Sequence, residues 1–317
     1  MSLSVEERIE HLQSSVEAVL PTDTMAEAGC KVLLGELIKM LRHEAGSRTG
    51  EDVEDVHDMR VAIRRMRSAF KLFAPYYKAK DVRSYSKSLQ QLGWALGDVR
   101  DLDVLIDNLR EFQLTLDADD QADLQTTIDE LDKRRIEARD DLVDTLDSKN
   151  YRRFLKAFSE FVTTPVEKKL SQEVVPTEVR HLLPGMIYDR LAAVRAYEDR
   201  LQDADVTRLH ALRIEFKRLR YTVSLFENVL GSTIGEFIDE LKTVQDCLGQ
   251  INDGATARDR LDALLEGDKH HSDALNAYLD HLEANRDKLI GDFGGIWERF
   301  NSRKVQEKLL KAVLSLR

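Results

Sequence analysis

The sequence predicts a mostly helical protein built around an internal repeat. Of its 317 residues only 5 are proline and 33% are charged, which favours long amphipathic helices. Apolar residues recur at helical spacing, with no alternating strand pattern, and 42% hydrophobic content is enough for a sizeable core. A segment beginning near residue 56 also recurs about one half-chain later. We therefore expect two related helical halves.

Residues 56–73 predict an amphipathic helix with one cationic face. At about 100° per residue, its basic side chains fall in an arc roughly 80° wide that contains no acid. Met59, Ile63 and Phe70 belong to an apolar band on the opposite side, which is typical of a helix packed into a core. We call the cationic residues the first stripe: His57, Arg60, Arg64, Arg67 and Lys71.

Residues 209–226 repeat this pattern. His210 follows His57 by 210 − 57 = 153 residues, and Ser224 stands where the first copy has Lys71. Because a second copy tests the interpretation of the first, the repeat is the strongest signal of organisation in the sequence. The second stripe consists of His210, Arg213, Lys217 and Arg220.

Another pair of segments repeats after each stripe. Leu-Gly-Asp-Val-Arg-Asp at residues 96–101 resembles Leu-Gly-Gln-Ile-Asn-Asp at residues 248–253, with an offset of 248 − 96 = 152. Both halves therefore share two consecutive helices. Since an aspartate is repeated here and an arginine is repeated off each stripe, we predict two structural ion pairs: Arg65 with Asp101, and Arg218 with Asp253.

The other elements of the first half follow from apolar spacing and its interruptions. Residues 3–20 predict a helix that stops at Pro21, and residues 1–25 are interpreted as an N-terminal appendage because the repeat does not need them. The helix at 52–73 carries the first stripe and is closed by Pro75. Further helices are expected at 24–44, 81–113 (one or two helices, with Gly93 and Gly97 as points of close approach or bending), 118–148 and 151–162, completing a four-helix unit.

Two cations in the helix at 24–44 allow two interpretations. Lys39 and Arg42 lie late in this helix, where positive charge complements the helix dipole. They would equally fit at the edge of an anion site. The sequence leaves both roles open.

The junction between the halves is predicted from proline content. Residues 163–184 hold three of the five prolines, Pro165, Pro176 and Pro184. The predicted division is a first half at 26–163, a linker at 164–176 and a second half at 177–317. Besides the second stripe helix, helices are expected at 186–200, 234–265, 272–288 and from about 296 onward.

Charge, cysteine content and hydropathy exclude several functional classes. The net charge of −11 argues against a general nucleic-acid-coating surface. Cys30 and Cys247 are too few for a disulfide framework and lack metal-ligand spacing, which indicates a reducing cytoplasm. No run approaches the roughly 18 apolar residues needed to span a bilayer, and the start lacks a secretory pattern. We expect a soluble cytoplasmic protein with no membrane partner.

The stripes point to an anionic ligand. A solvated helix face normally mixes charges, because like charges at i,i+4 spacing are destabilising, so the repeated stripes require carboxylates from neighbouring helices or a bound anion. We favour a ligand, since the arrangement is copied. Arginine forks suit phosphate oxygens, and a stripe several turns long presents a track for a linear polyanion. Single-stranded nucleic acid is disfavoured because no aromatic platform lies among the stripe residues, and Tyr221 borders the second copy alone.

The histidines are interpreted as anion contacts. His57 precedes Asp58, but His210 precedes Ala211, so a His-Asp hydrolase motif exists in one copy only. No carboxylate pair is placed convincingly for acid–base or two-metal chemistry. The sequence therefore predicts no catalytic residue, no metal ligand and no cofactor.

The segments quoted above resemble the signature helices of the CHAD family, the conserved histidine α-helical domain, from about Ala26 to the C-terminus. The resemblance implies two four-helix bundles related by a pseudo-twofold axis around a basic central channel. It also implies binding of inorganic polyphosphate and an association with polyphosphate granules and their proteins. Carried over by position, both stripes should line the channel, although Ser224 in place of Lys71 makes the two contributions unequal.

The predicted function is therefore a non-enzymatic polyphosphate-binding module. One alternative is a metal-assisted phosphohydrolase that uses His57, His210 and unidentified acids. The other is a structural helical module that binds a protein partner.

Overall fold

The computed structural model describes residues 4–166, 175–201, 204–264 and 272–316, and the backbone in these ranges is almost entirely helical. No strand occurs within them, and one isolated bridge joins Thr24 to Glu178. The predicted all-α fold is confirmed. The α-helices are α1 (Val5–Gln13), α2 (Met25–Arg42), α3 (Glu44–Thr49), α4 (Val53–Phe73), α5 (Ala79–Gln113), α6 (Ala118–Asp147), α7 (Lys149–Thr163), α8 (Val179–Arg195), α9 (Val206–Ser224), α10 (Glu227–Leu230), α11 (Ile234–Leu264), α12 (Asp273–Asn301) and α13 (Arg303–Leu314).

Capping residues fix where the helices around the first stripe begin and end. The backbone N–H of Glu27 donates to Thr24 Oγ1 at 3.3 Å, and the N–H of Thr24 donates to Glu27 Oε2 at 2.8 Å. This capping box starts α2 by satisfying donors that the helix itself leaves unpaired. The carboxylate of Asp52 accepts from the N–H of Glu54 at 2.9 Å and starts α4. Between them α3 ends at Gly50, whose φ of 69° suits glycine.

The first of two compact units comprises residues 1–106 and 132–182. In this unit α4 packs along α2, and α2 also contacts α7. Phe70 and Phe73 of α4 are fully buried, and the Phe70 ring lies 5.7 Å from that of Phe158 on α7. The predicted apolar band of α4 is thus confirmed as part of a core, which leaves the opposite face to the first stripe.

The second unit comprises residues 107–131 and 183–317. Here α11 packs against α9, α12 and α13. Phe216 of α9 is fully buried, with its ring 5.0 Å from that of Phe300 on α12. The helix of the second stripe is therefore also anchored through its apolar residues.

Several boundaries differ from the predicted ones. The α5 helix runs unbroken from Ala79 to Gln113. Pro184 lies inside α8, because this helix starts earlier, at Val179, whose N–H donates to Asp23 O at 2.9 Å. Residues 288–296 are helical within α12. The α1 helix packs on α2, and Arg8 Nη1 donates to Ser159 Oγ at 3.3 Å.

The predicted division of the chain into two halves joined by a linker stays a prediction. The structure assigns residues 107–131 to the second unit, whereas the sequence placed them in the first half. Residues 167–174 of the predicted linker lie outside the described residues. The pseudo-twofold relation and the central channel also remain predictions. None of the described helices is long and apolar enough to cross a membrane.

Candidate anion-binding site

The first stripe follows the face of α4 opposite its buried band. His57, Arg60, Arg64 and Arg67 are half-buried, and Lys71 is exposed. Since the apolar residues of α4 are fixed by the core, the stripe residues are held in register along about four turns of helix. The stripe is thus a fixed row of cations.

Carboxylates of the first unit neutralise little of this charge. Arg60 Nη2 lies 3.2 Å from Asp101 Oδ1, but the Asp101 side chain is 62% exposed. Arg64, Arg67 and Lys71 form no ion pair with any residue in the described ranges. Arg64 Nε is moreover buried without a hydrogen-bond partner there. A buried donor without an acceptor is costly, but this Nε is closed to solvent, so the feature open to a ligand is the unpaired charge of Arg64, Arg67 and Lys71.

Two glycines of α5 make room for the arginines. A Cβ atom at Gly93 would lie 3.3 Å from Arg67 Nη1, and one at Gly97 would lie 3.8 Å from the Arg60 guanidinium. The predicted close approach is confirmed at Gly93, whereas a Cβ at Gly97 would make an ordinary van der Waals contact. Because glycine has no side chain, the arginine heads can lie along the surface of α5.

His57 lies beside a further cation from α5. Burial lowers the pKa of His57, and the charge of Arg100 lowers it further, although Glu54 and Asp58 act in the opposite direction. Arg100 is only 15% exposed, and its Nη1 lies 3.9 Å from Glu54 Oε1. His57 therefore lies among charges of both signs, with Arg100 adding a cation from α5 to those of the stripe.

The second stripe, on α9, differs in its histidine. His210 is exposed, and its Nδ1 lies 2.5 Å from Asn252 Oδ1. Asn252 stands at the repeat position of Arg100 (100 + 152 = 252), so a neutral amide replaces a cation there. Arg213 is half-buried and forms no ion pair within the part of the second unit that the structure describes. Lys217 is exposed.

The two predicted structural ion pairs are wrong. Arg65 Nε donates to Glu36 Oε1 at 2.8 Å, because Arg65 lies on the side of α4 that meets α2, whereas Asp101 on α5 meets the stripe. Arg218 Nη1 lies 2.5 Å from Glu215 Oε1, one turn earlier on α9. The remaining member of the predicted pairs, Asp253, lies 3.5 Å from Arg260 Nη1.

Three further candidates, Lys39, Arg42 and Tyr221, lie in different surroundings. Lys39 Nζ lies 3.0 Å from Glu36 Oε1 in the last turn of α2, which favours the structural interpretation for this residue. Arg42 ends the same helix and is exposed, so its membership of the site stays a prediction. Tyr221 is buried, with the Arg220 guanidinium 5.5 Å from its ring centroid, and serves that arginine as a cation–π partner.

The chain matches the CHAD domain family model over residues 31–262. It belongs to the CHAD domain family. The crystal structure of the CHAD domain from the plant Ricinus communis is similar, with a TM-score of 0.66 at 23% identity, covering 94% of each chain. PptA from Streptomyces chartreusis has a TM-score of 0.62 at 14% identity, covering 88% of this chain and 99% of its own. At these identities the two likenesses show the fold. No curated protein matches the chain.

Both stripes of this CHAD domain lie inside the family match, as does one residue that the sequence analysis missed. Arg100 belongs to a repeated segment and follows Gly97 by three residues, so it points to the same side of α5. This spacing is the signal in the sequence that could have identified Arg100 as a candidate. The role of each stripe residue in binding stays a prediction.

Possible metal ligands in this CHAD domain are dispersed. Asp58, the acid next to His57, lies 3.6 Å from His43 Nε2, while His43 Nδ1 lies 2.8 Å from Asp55 Oδ1. Over the ranges that the structure describes, no three His, Cys, Asp or Glu side chains form a group suited to holding a metal ion.

Proposed function

We propose that this CHAD domain binds inorganic polyphosphate without converting it, with the linear polyanion lying along the stripes. The observation that carries the proposal is that three successive cations of the first stripe, Arg64, Arg67 and Lys71, form no ion pair within the described ranges. Phosphate oxygens are good acceptors for the guanidinium forks of the two arginines.

The shape of the first stripe supports a chain-like ligand. Its members rise by about 5 Å per turn, so they present successive contacts along a line and not around a pocket. Inorganic polyphosphate carries charge at every unit, and each stripe residue can replace a cation condensed on the polyanion. The family of the chain supports the same ligand. We further propose a cytoplasmic location at polyphosphate granules.

A titration at two salt concentrations tests the proposal. Polyphosphate and a single-stranded DNA of equal phosphate number are titrated into the full chain at 50 and 200 mM salt. With about five or more phosphates neutralised, counterion release predicts a loss of polyphosphate affinity of about a hundredfold or more between these conditions. Binding that hardly changes with salt, or equal binding of DNA, would contradict the mechanism.

Charge-reversal variants test whether the stripe residues bind the polyphosphate. The double variant R64E/K217E should abolish polyphosphate binding while circular dichroism reports unchanged helicity. The matched control is R303E/K304E, which changes the net charge equally at two exposed positions of α13. Orthophosphate release is measured in the same samples with added divalent metal. Release that disappears in H57A or H210A would instead support the phosphohydrolase alternative.

A further inference from the structure

An exposed aromatic side chain lies beside the first stripe. Trp94 on α5 is 60% exposed, whereas Trp297, the other tryptophan of the chain, is 6% exposed. The stripe residues themselves include no Phe, Tyr or Trp, and Trp94 lies on the neighbouring helix. Since tryptophan has a large apolar ring, its exposure next to fixed cations calls for a physical reason.

The glycines on either side of Trp94 face two guanidinium groups. Gly93 faces Arg67 Nη1 and Gly97 faces the Arg60 guanidinium, at the distances given above. Trp94 follows the first glycine by one residue and precedes the second by three, within about 6 Å of helix rise. Its backbone therefore lies between the two points on α5 that the arginine heads approach, and its side chain leaves the helix about 60–100° away from the two glycines.

The face of the indole is available to a ligand. Trp94 makes no ring or cation–π contact with any residue that the structure describes. Its neighbours on the α5 surface are polar, namely Gln90, Gln91 and Asp98. Trp94 is thus not part of an apolar patch for a packed helix, and an aromatic ligand is the better match.

We propose that Trp94, with Arg60 and Arg67, forms a subsite for a nucleobase linked to phosphates, so that the chain also binds nucleoside triphosphates. The base stacks on the indole, and the attached phosphates reach the two guanidinium groups. Stacking on an aromatic side chain tolerates any base, because each base has a π-face. This inference rests on the proposed function, since it takes the first stripe to be a phosphate site.

The repeat provides an internal comparison. The position equivalent to Trp94 in the second half is Asp246 (94 + 152 = 246), which has no ring on which a base could stack. The subsite is therefore expected once per chain, in the first unit.

The test compares ATP with inorganic triphosphate, which carries the same number of phosphates and no base. Both are titrated into the full chain without divalent metal, with the fluorescence of the exposed Trp94 or heat as the signal. ATP should bind at least about fivefold more tightly than inorganic triphosphate, as expected from one base stacked on an aromatic ring. W94A should remove this advantage and leave the affinity for long-chain polyphosphate within about twofold, because stacking contributes nothing to a ligand without bases.

Two further variants complete the test. W94F should retain part of the ATP advantage, and D246A should leave it unchanged. Equal affinities for ATP and triphosphate, or an advantage that survives in W94A, would overturn the subsite while polyphosphate binding still supported the proposed function. A Trp94-dependent gain with single-stranded DNA but not with ATP would also overturn it. Absence of binding to long-chain polyphosphate would refute the proposed function itself.

Discussion

Arg60 and Asp101 form an ion pair between α4 and α5, with Arg60 Nη2 3.2 Å from Asp101 Oδ1. The Asp101 side chain is 62% exposed and that of Arg60 is 33% exposed, so water and salt screen the pair. A phosphate that reaches the first stripe must compete with this carboxylate for the guanidinium. On the proposed function, we therefore expect this aspartate to limit the affinity for polyphosphate at its end of the stripe.

Replacement of that aspartate should tighten binding. D101N should raise the polyphosphate affinity about two- to fivefold, since exposed pairs of this kind are worth about 0–1 kcal/mol. The control is D107N, the same change two turns further along α5, which should leave the affinity unchanged. Weaker binding in D101N would show that Asp101 positions Arg60 for the ligand.

A methyl group at Gly93 should weaken polyphosphate binding without lowering the free energy of unfolding. In G93A the new Cβ lies 3.3 Å from Arg67 Nη1 and displaces the guanidinium, so polyphosphate affinity should fall severalfold. The free energy of unfolding should not fall, because alanine favours a helix over glycine by up to about 1 kcal/mol. G291A on α12 is the control, since a Cβ there meets nothing within 4 Å. It should gain stability with unchanged affinity; an equal loss of affinity in both variants would contradict the role of Gly93.

Protonation of His57 should couple stability to pH. Its pKa in the folded chain is lowered from 6.5 by burial and by Arg100. Below about pH 6.5 the unfolded chain therefore binds more protons at this residue than the folded chain does, so the free energy of unfolding falls as pH decreases through this window. H57Q should flatten that fall, whereas H181Q, at an exposed histidine of α8, should not. Denaturant titrations between pH 5 and 7.5 measure both, and identical slopes in H57Q and the native chain would reject the coupling.

Polyphosphate should reverse the direction of this effect. A bound phosphate beside His57 favours the protonated ring, so binding takes up a proton and affinity rises as pH falls from 7.5 to 5.5. H57Q should lose part of the rise. Calorimetry in buffers of different ionisation enthalpy measures the proton uptake directly, and no uptake at pH 6 would exclude His57 as a contact.

The repeated arginines off the stripes should differ in their contribution to stability. Arg65 pairs with Glu36, whose side chain is 5% exposed, while Arg218 is itself 54% exposed and pairs with Glu215 on its own helix. R65M leaves the buried Glu36 carboxylate with the exposed Lys39 as its remaining partner and should cost about 1–3 kcal/mol. R218M should change the free energy of unfolding by no more than about 0.5 kcal/mol. Comparable losses in both variants, measured by urea unfolding, would contradict this assignment.

Helical periodicity predicted the helices of this fold but not which helices and side chains contact one another. The apolar band through Phe70 and the cationic stripe through Arg64 are both properties of one helix, so the sequence of α4 alone defines them. Which acid meets Arg65 depends on how α2 packs, and that packing is decided by side chains far away in the sequence. The predicted pair with Asp101 failed for this reason.

Tertiary contacts, which helical periodicity does not reveal, also explain the other differences between the predicted and the observed structure. Pro184 was interpreted as a break, but the start of α8 is fixed by hydrogen bonds to residues near Pro21, which local sequence does not reveal. Trp94 could not be placed near the first stripe from the sequence, because α5 meets α4 only in the folded chain. The buried Nε of Arg64 likewise depends on tertiary contacts.

The hydrogen bonds at the start of α8 also bear on how the chain folds during synthesis. Met25 N–H donates to Thr177 O at 3.0 Å, so residues separated by 177 − 25 = 152 positions must meet. A ribosome adds residues in order, and domains generally fold as units as they emerge. The first unit can therefore form these hydrogen bonds only after Val179 has been synthesised, and every residue of α9 follows Val179 in the chain.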